Sequence, residues 1–440
     1  MRQQEASRAY NPHRGGSQLS SVDFAAADDA EVAQTIDDLD RCDPLRAARD
    51  AFEIPAGIVY LDGNSLGALA RPVADRVRAV LAHEWGRDLV GAWVSAGWID
   101  LPRRVGSKVA PLIGAAADEV VAADSTSVNL FKCIVAAADI NRPRSMIVTE
   151  RGEFPTDVYV AEGVEQVTDG RLRHRLCEPE ALAASIDSDT AAVVLSHVHY
   201  RSALVRDMAA LTAKAHAVGA LTIWDLSHSA GAIRVDLNGA GADFAVGCGY
   251  KYLNGGPGAP AFLFAARRHH AAMRSPLTGW LGHAAPFGFE DGYRPAPGVS
   301  RFICGTPGVL GMSALEASLD LLGGLDIADI ERKGRQLGQL FIALVERRCA
   351  GFSLTLASPR DAAQRGCHVA FRHAHGYSIM RALIERGVIG DFREPDALRF
   401  GFAPLYLRYR DVQDTVDILR DVLSNRTWQD ARYAERQSVT

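Results

Sequence analysis

Long apolar runs are missing from this 440-residue sequence. The longest, Ala259 to Ala266 and Ala191 to Leu195, fall far short of the roughly 18 residues that cross a bilayer, so no membrane span is expected. An excess of one charge is missing as well: 48 Lys+Arg stand against 53 Asp+Glu, a formal net charge of −5, with no block of five like charges. That balance argues against a general nucleic-acid surface. The seven cysteines (42, 133, 177, 248, 304, 349 and 367) are odd in number, scattered, and contain no Cys-x-x-Cys pair. Neither a disulfide framework nor a zinc site is expected, and no metal. The opening stretch MRQQEASRAYNPHRGG is basic but is followed by no apolar segment, so a secretory leader is not expected and the cytoplasm is the expected location. Internal repeats and low-complexity segments are also absent.

What is there is apolar residue in quantity, 48%, enough to fill a large core and to exclude disorder for the bulk of the chain. Residues 1 to about 40 are polar and acidic with little periodicity, and read as an arm or loosely attached helix. Then Ile58 to Leu61 form an extended segment, Asp62-Gly63-Asn64-Ser65 a tight turn, and Pro72 opens an amphipathic helix bearing Val73, Val77, Val80 and Leu81. From about 120 to 265, β-rich runs (Met146 to Thr149, Ala192 to Leu195, Leu221 to Trp224, Phe244 to Val246) alternate with helical segments, and Ala261 to Phe264 follows a Gly/Pro-rich stretch. One helical face carries Met208, Leu211, Ala215 and Val218 and closes at Gly219. This alternation predicts an α/β fold with a mostly parallel sheet. Beyond about 310 the chain is helix-rich, with β-like runs at His368 to Phe371 and Leu398 to Phe402 and a closing helix bearing Val412, Val416, Leu419 and Leu423. The expected division is a segment 1–60 packing with the small domain, a large domain 61–309, and a small α+β domain 310–440.

The strongest chemical signal is a strand that ends in an acid, Leu221-Thr222-Ile223-Trp224-Asp225. In an open α/β sheet, ligands sit beyond the carboxyl ends of the strands, which is where Asp225 points. A lone buried carboxylate there needs a cationic partner. The next strand leads into Gly249-Tyr250-Lys251-Tyr252-Leu253-Asn254-Gly255, placing Lys251 26 residues after the acid (251 − 225). A lysine forms a Schiff base with pyridoxal phosphate, whose ring nitrogen wants a carboxylate to keep it protonated. The plain alternative, a helix-capping Asp and a solvated turn Lys, explains each residue singly but not the pair in its glycine context. Asp124-Ser125-Thr126-Ser127 opens a helical run, so its hydroxyls and free N–H groups make an anion cradle or an ordinary N-cap. In Glu153-Phe154-Pro155-Thr156-Asp157, the ring of Phe154 sits in a loop where it can stack on a flat heterocycle or simply fill the core.

These segments resemble the fold-type I pyridoxal-phosphate enzymes, and within them the kynureninase family. The resemblance spans most of the chain: Tyr60-Leu61-Asp62-Gly63-Asn64-Ser65-Leu66-Gly67, Asp124 to Leu130, Phe154-Pro155-Thr156-Asp157, Asp225-Leu226-Ser227-His228, Tyr250 to Asn254, Gly279-Trp280-Leu281-Gly282-His283, and Leu398-Arg399-Phe400-Gly401 with Pro404-Leu405-Tyr406. It implies pyridoxal 5'-phosphate as cofactor, with Lys251 as the Schiff-base lysine, Asp225 as partner of the ring nitrogen and Phe154 stacked on the ring. It further implies Thr126 and Ser127 on the phosphate with Tyr250 nearby, and Asp157, Ser196 and His228 lining the cofactor. Trp280 and Thr306 match contacts that come from the second subunit of a homodimer. Arg399 matches the arginine that clamps the substrate carboxylate, and Asn64, Trp93 and His283 match substrate contacts. The implied reaction is hydrolysis of the Cβ–Cγ bond of L-kynurenine, or its 3-hydroxy form, to anthranilate or 3-hydroxyanthranilate and L-alanine. That step belongs to tryptophan degradation and feeds NAD biosynthesis.

Three other readings fit the same scaffold. A cysteine desulfurase or selenocysteine lyase needs a nucleophilic cysteine on a mobile C-terminal loop, which the segments around Cys349 and Cys367 do not resemble. An aminotransferase would use Arg399 equally well. A catalytically silent binding protein has no need to keep lysine, acid, stacking ring and phosphate hydroxyls together.

Overall fold

The computed structural model describes residues 28–436. The chain first forms a short strand β1 (Val59–Tyr60). It then builds a seven-stranded sheet from β2 (Val120–Ala122), β3 (Met146–Glu150), β4 (Arg173–Cys177), β5 (Thr190–Ser196), β6 (Leu221–Asp225), β7 (Phe244–Cys248) and β8 (Ala261–Ala265). The spatial order is β2-β8-β7-β6-β5-β3-β4. Strands β4, β3, β5, β6 and β7 are parallel, whereas β8 runs antiparallel to both its neighbours. The mostly parallel sheet expected from the alternating pattern is present. Its five inner strands β3 and β5–β8 are buried almost throughout, as strands covered on both faces must be. On one face the helices Thr126–Ile140 and Pro155–Val167 pack with Leu130, Ile134, Ala161 and Val164 against Ile147, Val194 and Ile223.

β4 escaped the sequence pattern because Arg173-His174-Arg175 breaks any apolar run. It is the sheet edge, where charged side chains also discourage pairing with other chains.

The later part of the chain forms a four-stranded antiparallel sheet in the order β12-β13-β10-β9, built from β9 (Thr355–Leu356), β10 (His368–Arg372), β12 (Asp391–Arg393) and β13 (Ala397–Gly401). Strand β1 pairs in parallel with β11 (Val388–Ile389). The helices Ile327–Arg348, Gly376–Glu385 and Tyr409–Ser424 accompany this sheet, and the aromatic rings of Phe341, Phe371, Phe400 and Phe402 meet at its core.

Of the arm or loosely attached helix expected over residues 1 to about 40, the described part is a helix. Residues up to 27 lie outside the described residues, but Asp29–Cys42 is a helix capped by Asp28, whose carboxylate accepts from Glu31 N at 2.8 Å. It buries Val32, Ile36 and Leu39 against the helix Tyr409–Ser424. The spacing was helical, but the acids between these apolar positions masked it. No helix among the described residues is long and apolar enough to cross a membrane.

Away from the strand ends that matter below, Asp243 ties β6 to the loop after β8. Its buried carboxylate accepts from Thr222 N at 2.8 Å, from His216 and His269 at 2.8 Å each, and from Arg268 at 2.7 Å. Burial alone would raise its pKa, but these donors outweigh it and hold the group well below the usual carboxylate range. A carboxyl depressed on folding stabilises the native state above its unfolded pKa and loses that contribution as pH falls. Asp243→Asn is therefore expected to cost about 3 kcal/mol near pH 7, with the deficit shrinking below about pH 4. Denaturant unfolding of both proteins across that range checks it.

Candidate active site

Strands β5, β6 and β7 end side by side. Ser196 stands opposite Asp225, and Asp225 opposite Val246, so the carboxyl ends of three parallel strands present Ser196, Asp225 and Cys248 to one space. That space is a cavity of about 520 Å³, walled by Ser196, Asp225, His228, Tyr250 and Lys251 with Thr126, Ser127, Phe154, Tyr200 and Cys248. Lys251 lies in the turn after β7 and is buried. Its Nζ shares a 2.8 Å hydrogen bond with His228 Nε2 and sits 5.7 Å from the centre of the Phe154 ring. Asp225 Oδ1 accepts from Ser227 N at 2.7 Å, and behind the wall Ser196 Oγ donates to Asp157 Oδ2 at 3.3 Å.

Burial dominates the electrostatics. It lowers the pKa of Lys251, pushing the amine toward the neutral form that a nucleophile requires. It holds His228 well below its usual value, helped by the charge of Lys251, so the imidazole is neutral at pH 7. Asp225 is raised by burial, against the hydrogen bond from Ser227 and the nearby Lys251. Asp157 is raised further, by burial and then by the neighbouring Asp225 and Glu153.

Asp157 Oδ1 and His228 Nδ1 are buried without a hydrogen-bond partner. Such orphans cost about 1–3 kcal/mol each; His228 lines the cavity, and Asp157 lies behind it, bonded to the lining residue Ser196.

A helix N-terminus adjoins this wall. The helix Thr126–Ile140 begins at the cavity, which Ser125, Thr126 and Ser127 line, and Ser125 is its N-cap, accepting from Val128 N at 3.4 Å. Among the described residues, lysine and arginine other than Lys251 are absent from the lining, and the helix N-terminus supplies the positive potential. Asp124, at φ +45°, would oppose an anion there, but the fully buried Lys132 donates to its carboxylate at 2.5 Å and to Phe302 O at 2.6 Å. This ion pair was not foreseen; its only trace in the sequence is a lysine on an otherwise apolar helix face.

The other residues that the resemblance places at the site lie elsewhere. Thr306 lines a smaller cavity of about 280 Å³ that shares Asp124 and Gly258 with the first. Trp280 is 42% exposed, its Nε1 donating to Pro286 O at 2.5 Å, and His283 lines a third cavity with Leu281 and Ile303. Trp93 packs edge-on against Trp98 with ring centres 5.8 Å apart. Asn64 is wholly buried against Gly401, where any Cβ would collide with it. Arg399 is buried behind the cavity rim, bonded to Asp391, Ser65 and the carbonyl of Tyr200. Within this single chain, therefore, Trp93, Trp280, His283, Thr306, Asn64 and Arg399 are not on the wall that carries Lys251, and Asp157, expected to line the cofactor, lies behind it.

Comparison with known proteins decides the family. Over 407 residues, 91% of this chain and 98% of the relative, the sequence is 50% identical to a kynureninase of Burkholderia mallei. It is 49% identical over 409 residues to a kynureninase of Pseudomonas fluorescens, with the same coverage. The chain belongs to the kynureninase family. The model of the kynureninase C-terminal domain matches residues 330–419. Among solved structures, a cysteine desulfurase from Thermococcus onnurineus NA1 superposes with a TM-score of 0.73 at 18% identity, covering 86% of this chain and 98% of that one. A mutant of the enzyme C-DES with glycine covalently linked to its PLP cofactor superposes with a TM-score of 0.72 at 16% identity, covering 85% of this chain and 99% of that one. These likenesses show a shared fold.

Membership in the kynureninase family also fits the cysteines. Cys349 and Cys367 are buried in the core. Cys248 is the cysteine on the cavity wall; burial raises its thiol pKa, away from a nucleophilic thiolate.

Proposed function

We propose that this protein hydrolyses the Cβ–Cγ bond of L-kynurenine to give anthranilate and L-alanine, with pyridoxal phosphate held in the cavity at the ends of β5–β7. The observation that carries the reading is the convergence in one cavity of Lys251, driven toward neutrality, the buried Asp225, and a helix N-terminus. The residues fit that cofactor. Lys251 offers the amine for its aldehyde, Asp225 a carboxylate for its ring nitrogen, Phe154 a face for its ring, and Thr126 and Ser127 hydroxyls and N–H groups for its phosphate.

When bound, the cofactor supplies a protonated ring that accepts electrons from the substrate. The chain does the rest. Asp225 holds the proton on the ring nitrogen. Lys251 Nζ would take the proton from the substrate α-carbon, and His228 Nε2, 2.8 Å away, would keep that amine in place. Tyr250, whose ring centre is 5.9 Å from Lys251 Nζ, retains its phenolic proton because burial raises its pKa, so it is a proton donor. Arg399 takes the substrate carboxylate.

The reading includes a homodimer with shared sites. In support, Leu277, Trp280, Phe287 and Phe289 are exposed together on one loop segment, an apolar surface of the kind that is covered by another chain. If the second copy brings Trp280 to this cavity, mixing inactive Lys251→Ala and Trp280→Ala subunits restores activity toward about one quarter of wild type, because half the dimers are hybrids with one intact site in two. No recovery on mixing means each chain serves its own cavity. The reading also places the enzyme in the cytoplasm, in tryptophan degradation.

The direct test is anthranilate fluorescence on adding L-kynurenine to the cofactor-loaded protein, with 3-hydroxykynurenine run beside it. Release of sulfide from cysteine, or keto-acid formation without anthranilate, would replace this function with a desulfurase or an aminotransferase.

A further inference from the structure

The motif Asp62-Gly63-Asn64-Ser65-Leu66-Gly67 reaches two parts of the molecule at once. At one end, Leu61 N donates to Ile389 O at 2.7 Å, Gly401 N donates to Leu61 O at 2.6 Å, and Asp62 bridges to Gly401, so the motif is sewn into the small sheet beside β13. At the other end, Gly67 N donates to Tyr250 O at 2.7 Å. A Cβ at Gly67 would collide with the carbonyl oxygen of Lys251 and with Asn254, so only glycine allows this approach.

Between these ends, Ser65 Oγ donates to Asp391 Oδ2 at 2.9 Å and accepts from Arg399 NH2 at 3.0 Å. Asp391 and Arg399 are directly opposed residues of β12 and β13. Asp391 Oδ1 accepts from Arg399 Nε at 2.8 Å while Oδ2 accepts from NH2, a two-pronged grip on one edge of the guanidinium. NH1 donates to Tyr200 O at 2.6 Å, and Tyr200 stands on the cavity wall. Both partners of the ion pair are almost wholly buried, with side-chain exposures of 2% and 1%.

A second acid, Asp62, lies beside this pair, yet the two carboxyls differ. Burial opposes the charge of Asp391, but Arg399 and Arg393 outweigh it and hold its pKa below the usual value. Burial, with the Asp391 charge beside it, pushes Asp62 up to about 7. Asp391 is therefore the anion that faces Arg399.

We infer that Asp391, braced by Ser65, is a positioning residue that orients Arg399 toward the substrate carboxylate, and that the Asp62–Gly67 segment fixes this clamp relative to the turn carrying Lys251. The inference rests on the role given to Arg399 under the proposed function. Its physical basis is orientation. A guanidinium held at Nε and NH2 by a rigid cross-strand carboxylate, at NH2 by Ser65 and at NH1 by the Tyr200 carbonyl is fixed in one orientation, and misplacement by about 1 Å costs roughly 10²-fold in rate. A buried ion pair by itself contributes little net stability, so stability alone gives no reason for this arrangement.

The test uses the cofactor-loaded enzyme and two variants, Asp391→Asn and Ser65→Ala, with two ligands that differ only in the carboxylate: L-alanine and ethylamine. Binding is read from the absorbance of the bound cofactor. Asp391→Asn is expected to weaken L-alanine about 100-fold and to raise KM for L-kynurenine similarly, while ethylamine changes less than about 2-fold. Ser65→Ala is expected to do the same at about 10-fold, and it decides the matter if Asp391→Asn does not fold. Asp391→Glu should recover part of the loss. Equal weakening of both ligands, or of neither, overturns the inference. A wild-type enzyme that binds L-alanine but releases no anthranilate overturns the proposed function instead, and the contrast between the ligands still judges the positioning of Arg399.

Discussion

Lys251→Ala is expected to abolish turnover of L-kynurenine, by at least about 10⁴-fold in kcat/KM. One side chain carries two tasks that no neighbour can take over. Its Nζ is the amine on the cavity wall, and it faces both the Phe154 ring and His228. His228 is no substitute base in place, because its Nε2 is turned to the lysine itself and a neutral imidazole 2.8 Å away has been arranged around that amine. The other buried lysines are committed elsewhere: Lys132 to Asp124 at 2.5 Å and Lys333 to Asp43 at 2.6 Å. Fluorescence assay of the variant, with added cofactor in excess, measures the loss. Residual activity above about 1% of wild type would mean that another group performs the proton transfer.

Asp225→Asn should cost about 10³-fold in kcat with a much smaller change in KM. The carboxylate is buried at the end of β6, its Oδ1 already fixed by Ser227 N. Replacing it with an amide keeps the shape and that hydrogen bond but removes the charge that holds a proton on the ring nitrogen. Steady-state kinetics separates the two parameters. A fall in affinity for the cofactor without a fall in kcat would instead make Asp225 a binding residue only.

Which features the sequence disclosed follows from how local they are. The acid at the end of Leu221–Asp225 and the lysine in its glycine-rich turn are each set by a short segment, and neighbouring parallel strands bring them together. Apolar runs such as Met146–Thr149 and Ala192–Leu195 carry their own signal, and both are strands. The Asp391–Arg399 grip is different, because it depends on which residues face each other across β12 and β13, and on Ser65 arriving from more than three hundred positions earlier. Lys132 is hidden for a related reason in part: Asp124 lies only eight positions before it, but the carbonyl of Phe302 that also receives it comes from 170 positions later. The roles given to Trp280 and Thr306 come from the resemblance alone, because in this chain Trp280 is largely exposed and Thr306 lines a neighbouring cavity.

The claim on which all of this depends is that Lys251, in the cavity at the ends of β5–β7, is where the cofactor is held. Borohydride reduction of the cofactor-loaded protein, followed by peptide mass mapping, tests it most directly. The account predicts a single pyridoxyl-modified peptide spanning Lys251, with modification lost in Lys251→Ala. Stoichiometric modification at another lysine, with Lys251 untouched, would contradict it.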